Sequence, residues 1–337
     1  MVKDNMIKVA LFGFGRIGQM HAENLFYHKG YKLVYLYDPL LKNPNKISKK
    51  YSVKIIKNYK TALKDKKIDL IFIASPTNTH IKFIEESVSF KKAIFCEKPL
   101  DLNLLKIKKS ISKIIKYNYK IQLGFNRRYD PGHYSLKTSL EKNKIGNLEK
   151  IIITSRDPAP PTLKYLKNSG GIFKDMMIHD FDLCRFYLGK DKITKMFATG
   201  SSFKKFYNKI KDYESASVIM KSQKGVICVI TNSRHCSYGY DQRVELFGSN
   251  GMLLSGNKRQ NESELYTHNS TNIKKKFQNF FIERYEEAYK LQLNDLEKYL
   301  NQNLLPRSIL QDGYKALELA ESAIKSDRAK KLIKITI

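Results

Sequence analysis

The sequence predicts an α/β protein: an N-terminal doubly wound parallel sheet, then a C-terminal α+β domain with a mostly antiparallel open sheet. Three observations carry this reading. The first 125 residues alternate short apolar runs with segments of helical period. A glycine loop joins the first run to the first helix. Past Asn126 the alternation gives way to strand-rich segments gathered behind one helix. A length of 337 residues fits two domains. They are placed at 1–125 and 126–337, with the last helix expected to pack back on the first.

The apolar runs are Lys8–Phe12, Lys32–Tyr37, Val53–Ile56, Asp69–Ala74, Ala93–Cys96 and Lys120–Phe125. They show little polar alternation, as strands buried on both faces should. Arg16–His28, Lys57–Lys67, Thr79–Phe90 and Asn103–Tyr117 lie between them with helical spacing. Such alternation makes a parallel sheet with right-handed crossovers. Asp157-Pro-Ala-Pro-Pro161 must be a loop. Ile172–Leu188 reads as one helix, introduced by Gly170-Gly171 and closed by Gly189. Strands follow at Ile193–Thr199, Ser215–Lys221, Gly225–Ser233 and Gln242–Phe247, with a hairpin turn at Gly248-Ser-Asn-Gly251. Helices over Phe280–Asn301 and Asp312–Ser326 finish the chain.

Composition removes several function classes. No apolar run approaches the roughly 18–20 residues that span a bilayer. Val9–Phe12 is too short for a signal peptide. The four cysteines form no C-x-x-C pair, so no zinc or redox motif arises. Reduced thiols in a cytoplasmic protein are the expectation. The net charge of +30 points first to nucleic acid. Yet only 11 of the 62 basic residues are Arg, and the Lys is spread along the whole chain. A nucleic-acid binder concentrates basic residues and uses Arg forks. Solvated Lys on every surface is the better account, with no nucleic-acid partner. Against that background each Arg is a candidate for a fork that Lys cannot make.

Gly13-Phe14-Gly15-Arg16-Ile17-Gly18 sits between the first strand and first helix. The first glycine permits the tight turn, the second lets backbone approach a pyrophosphate, and the third lets helix and strand pack closely. Asp38 ends the second strand, placed for the two ribose hydroxyls of an adenosine. Its charge argues for NAD over NADP, with Lys42 a weaker counter-signal. This is a Rossmann pattern. Ser75, Thr77, Asn78 and His80 follow the fourth strand at the same carboxyl edge. Capping of the next helix by Asn78 or Thr79 is compatible with a cofactor role, and His80 reads as structural rather than catalytic.

Lys98 lies just past the fifth strand, and Asp175 and His179 are four apart on the expected helix. Oxidising an alcohol needs a base and a positive group for the developing alkoxide. His179 suits the base, Asp175 its orientation, and Lys98 the oxygen. A solvated Asp–His pair is the alternative. His179, Asp180 and Asp182 are close in sequence, but Asp180 points away from His179 on a helix, so no metal is expected.

These residues resemble the Gfo/Idh/MocA oxidoreductases over essentially the whole chain. The resemblance rests on the Gly13–Gly18 loop, Glu97-Lys98-Pro99, Gly124-Phe-Asn-Arg-Arg-Tyr-Asp130, Ser155-Arg-Asp-Pro158, Gly170 through Asp182, and Tyr238-Gly-Tyr-Asp241. It implies NAD as cofactor, with Glu97, Lys98 and Arg127 added to the residues near it. It implies Lys98, Asp175 and His179 as the catalytic set, and Arg127, Asp182 and Tyr238 near a polyol. Asp157 adds a further polar group there. The implied reaction oxidises a ring hydroxyl of a cyclic polyol, myo-inositol at C2 being the first candidate. A homotetramer built on the open sheet is implied, as is a cis Lys98-Pro99 bond. Rival readings are a dehydrogenase for another inositol or an aldose, and a nucleotide-binding sensor without turnover.

Overall fold

The computed structural model describes residues 6–117 and 119–335. Two compact units divide them: the residues up to Tyr129 with Glu287–Tyr314, and Asp130–Glu286 with the residues from Lys315.

In the first unit, β1 (Ile7–Phe12), β2 (Tyr31–Tyr37), β3 (Lys54–Ile55), β4 (Leu70–Ile73), β5 (Ala93–Cys96) and β6 (Ile121–Leu123) form one sheet. Every pairing is parallel, in the order β3-β2-β1-β4-β5-β6. The order reverses between β1 and β4, and ligands of such sheets bind beyond the carboxyl ends of the strands at that point. β4 is buried at all four positions, as its unbroken Leu-Ile-Phe-Ile demands. Leu11, Leu25, Leu36, Phe72 and Phe95 fill the core together with Leu293 and Leu296 from the helix Glu286–Gln302. The Tyr31 hydroxyl donates to the Leu293 carbonyl at 2.8 Å. Apolar burial and this bond bring a segment more than 160 residues downstream of β6 into the first unit.

In the second unit, β7 (Leu148–Arg156), β8 (Ile193–Ser201), β9 (Ser215–Ser222), β10 (Ile227–Ser233), β11 (Asp241–Gly248) and β12 (Gly251–Ser255) form a larger sheet. A separate hairpin, β13 (Glu264–Leu265) and β14 (Ile273–Lys274), precedes β15 (Ile333–Lys334) at the sheet's edge. The order is β12-β11-β7-β10-β9-β8-β15, and only β7 and β10 run parallel. Burial alternates along β9, so one face is covered and the other open.

Two expected helices are broken. In place of one helix over Ile172–Leu188 there are two, Ile172–Asp175 and Ile178–Leu188. The Met177 amide bonds back to Ile172, and the Asp180 and Phe181 amides both reach the Met177 carbonyl. Buried anchors on either side win over helix propensity. The Asp212 carboxylate takes the Ile172 amide at 2.8 Å. Asp180 is drawn to Ser155 at 2.7 Å and Asn232 at 2.8 Å. The argument that Asp175 and His179 share one helix face therefore does not apply. The Phe280–Asn301 segment likewise splits into Phe281–Arg284 and Glu286–Gln302. The sequence reading also passed over β7 and the helices Pro44–Tyr51 and Pro131–Glu141.

Candidate functional site

The glycine loop carries three different constraints. Gly13 has φ +96°, and a Cβ there would lie 2.5 Å from the Ser75 backbone. A Cβ on Gly18 would lie 2.2 Å from the Gly13 carbonyl oxygen. Neither position admits a side chain. A Cβ on Gly15 would meet nothing within 4 Å. That opening, at the N-terminus of the helix Arg16–Tyr27, fits a pyrophosphate approaching closely. Phe14 donates its amide to Asp38 Oδ2 at 2.7 Å, and Leu40 donates to Oδ1 at 2.8 Å. Asp38 thus fixes the loop while remaining partly exposed to a ribose. Arg16 is exposed and Ile17 half-buried.

Ser75, Thr77 and Asn78 stand at the same edge, in the turn between β4 and the helix His80–Ser89. Thr79 makes no side-chain cap for that helix; its hydroxyl lies 2.6 Å from the Ser75 hydroxyl and 2.7 Å from the Pro76 carbonyl. His80 is buried, with Nε2 2.8 Å from the Ser75 carbonyl and Nδ1 2.8 Å from the Pro99 carbonyl. It clamps the Ser75 turn to the loop that carries Lys98. Burial lowers its pKa below the usual histidine value. The Lys98–Pro99 peptide is cis.

Glu97 is gripped from two sides. His21 Nε2 lies 2.7 Å from Oε1, and the Lys98 amide donates to Oε2 at 3.2 Å. A Cβ on Gly124 would strike that carboxylate at 2.6 Å, so glycine there makes room for it. Arg127 and Arg128 are buried in the turn Asn126–Tyr129. Arg128 forks onto Asp312 at 3.0 and 3.1 Å. A cleft of about 560 Å³ opens at the opposite, amino edge, lined in part by Ile7, Asp69, Lys92 and Lys120. Lys92 there already donates to the Asp65 and Ile68 carbonyls. Topology places the dinucleotide at the other edge.

In the second unit, Asp157 and Arg234 directly follow the parallel pair β7 and β10, and the Asp157 amide donates to Ser233 at 2.9 Å. Asp175 accepts from the Tyr165 hydroxyl at 2.6 Å on Oδ1 and from Arg234 at 3.1 Å on Oδ2. His179 is half-buried at the start of the helix Ile178–Leu188. Its neighbour Asp180 anchors that helix to the sheet through Ser155 and Asn232, which pair directly across β7 and β10. Asp182 is buried. Tyr238 is half-exposed; Arg156 donates to its hydroxyl, which donates in turn to Asp241 at 3.0 Å. Arg243 forks onto the same Asp241 at 2.8 and 2.9 Å. Arg234 escaped the sequence reading, although the scarcity of Arg was the signal for it. Among the described residues no group of three His, Cys, Asp or Glu side chains is set to hold a metal ion.

Residues 7–125 match the oxidoreductase family with an NAD-binding Rossmann fold, and residues 133–254 match the GFO/IDH/MocA C-terminal domain. An inositol 2-dehydrogenase of Rhizobium meliloti is 35% identical, over 98% of this chain and 99% of its own length. The crystal structure of a myo-inositol dehydrogenase from Corynebacterium glutamicum superposes with a TM-score of 0.94 at 36% identity, covering 98% of this chain and 99% of that one. A scyllo-inositol dehydrogenase from Lactobacillus casei, solved with NAD(H) and scyllo-inositol, gives 0.90 at 26% identity, over 98% and 99% of the two chains.

Proposed function

The chain belongs to the GFO/IDH/MocA oxidoreductase family, and from that premise we propose that it oxidises an inositol ring hydroxyl, with myo-inositol at C2 as the preferred substrate and NAD as the cofactor. The observation that carries this is full-length similarity to inositol dehydrogenases in a chain that has Lys98, Asp175 and His179. The loop fits the cofactor: its one open glycine position lies beside a carboxylate suited to ribose hydroxyls. Gly13 to Gly18, Asp38, Ser75, Thr77, Asn78, Glu97, Lys98 and Arg127 would hold it, with His80 supporting from beneath. The Asp38 charge disfavours a 2′-phosphate. Bound NAD supplies the hydride acceptor at nicotinamide C4.

The chain's own residues do the proton work. His179 takes the hydroxyl proton. Asp175 stabilises the imidazolium that results. Lys98 donates to the reacting oxygen, where negative charge develops. Arg127, Asp157, Asp182 and Tyr238 supply hydrogen bonds to the remaining hydroxyls of a neutral ring. The working form is a homotetramer joined through the open sheet, acting in the cytoplasm. No helix among the described residues is long and apolar enough to cross a membrane.

The test is a panel of inositol isomers and pyranoses with NAD and with NADP, read by reduced nicotinamide. Fastest turnover of myo-inositol with NAD supports the proposal. Fastest turnover of a pyranose replaces it with a sugar dehydrogenase. NAD binding without turnover of any polyol replaces it with a sensor.

A further inference from the structure

Arg234 follows the last residue of β10 and is 0% exposed. Its Nη1 donates to Asp175 at 3.1 Å and its Nη2 to Asp212 Oδ2 at 3.2 Å. The other Asp212 oxygen accepts the Ile172 amide at 2.8 Å. One guanidinium therefore ties both ends of the four-residue helix Ile172–Asp175: its start through Asp212 and its last residue directly. The Tyr165 hydroxyl occupies the second Asp175 oxygen at 2.6 Å. The Tyr165 ring is half exposed, but desolvation at its hydroxyl end and the Asp175 carboxylate push the phenol up, so it stays protonated and donating. Burial works against the Arg234 charge, but Asp175 and Asp212 outweigh it and raise the Arg234 pKa. A permanent cation thus faces Asp175 from another element.

A short helix has no intrinsic stability of its own. We propose that Arg234 is a positioning residue for the oxidation, fixing Asp175 so that its carboxylate is presented in one geometry to the proton-transfer step. It acts through Asp175 and touches neither substrate nor cofactor. The inference rests on the roles given above to Asp175 and His179. Lys is no substitute, because a single ammonium lacks the planar fork that spans two carboxylates.

The experiment compares Arg234→Lys and Arg234→Gln with Asp175→Asn in the full chain. It measures thermal unfolding, NAD binding by fluorescence titration, and steady-state rates on myo-inositol and on myo-inositol deuterated at C2. Arg234→Lys is expected to fold and to bind NAD like wild type. Its kcat should fall about 10²-fold, the scale of a misplaced reacting group, with the KM for NAD little changed. The isotope effect on kcat should rise, because slowed chemistry then outweighs product release. Arg234→Gln, which leaves two carboxylates uncompensated, should lose more. A wild-type kcat in Arg234→Lys overturns the proposal. So does a kcat that falls only with the folded fraction at an unchanged isotope effect, which marks a purely structural arginine. If Asp175→Asn turns over like wild type, the catalytic assignment fails and this inference with it. If Asp175→Asn is inactive while Arg234→Lys is normal, the inference alone fails.

Discussion

Three glycines in one loop carry three separable demands, and substitution should separate them. Gly13→Ala puts a Cβ at φ +96° against the Ser75 backbone. The backbone conformation alone costs about 1–3 kcal/mol, and the contact adds to it. Gly15→Ser meets no protein atom and supplies a good N-cap. It should leave the melting temperature close to wild type. The same side chain fills the space offered to the pyrophosphate, so NAD affinity should drop by about 1–3 kcal/mol, roughly 5–150-fold. Thermal melts and NAD titrations of both variants check this; tight NAD binding by Gly15→Ser would remove the loop from the cofactor site. Lys98→Ala and His179→Ala are expected to lower turnover by about 10²–10⁴-fold while NAD still binds, and single-turnover rates would expose either as dispensable. The glycine roles are legible in the sequence because they are local to six residues. Arg234 is not, since Asp175 lies 59 positions away and Asp212 lies 22 away. Its only trace is that it is one of 11 Arg among 62 basic residues.

Elements follow the same rule. The inner strands β4 and β5 announce themselves because both faces are covered and each run is apolar throughout. β7 is harder to see, since its first three positions are half-buried or exposed and only alternate positions thereafter are covered. The helix Pro131–Glu141 depends on a partner far away. Asp130 caps it through the His133 amide at 3.0 Å and also pairs with Arg284, both side chains being 1% exposed. Burial alone would raise the Asp130 pKa; His133 and Arg284 outweigh it and hold it below the usual carboxylate range. A depressed folded-state pKa stabilises above the unfolded value of about 3.9, and that stability is lost as pH falls through the folded value. Asp130→Asn keeps a capping oxygen and removes the charge. At neutral pH it should destabilise the second unit by about 3–5 kcal/mol, since Arg284 is left buried and unpaired. The loss should shrink as pH drops below about 4, where Asp130 of the unfolded chain takes up a proton before the folded one does, and vanish below the lowered folded-state value. Denaturant unfolding at neutral and acid pH tests the sign: a deficit that stays constant with pH assigns the cost to packing.

For the whole molecule the question is what the open sheet and the +30 charge do together. Register places Phe197, Ile219, Val229, Ile152, Glu245 and Leu254 in one row across six strands of the open face. Phe197, Ile219 and Leu254 are 38%, 51% and 60% exposed. Five of the six positions in this row are apolar, broken by Glu245, which suits the association surface proposed above. The adjacent row runs Lys195, Lys221, Ile227, Lys150, Phe247 and Met252, so lysines flank it. Ile219→Lys should barely change the stability of a subunit, because the site is half exposed, within about 0.5 kcal/mol. It should nonetheless split the proposed tetramer, which light scattering would show as a lower mass. Salt gives the opposite signature to a polyanion complex. Copies meeting through this face bring lysines toward lysines, and screening weakens that repulsion. Assembly should therefore tighten as salt rises, whereas binding to nucleic acid would loosen steeply. Sedimentation across a salt series decides between the two: tightening makes the lysines a tax on self-association, and loosening would restore a polyanion as their reason.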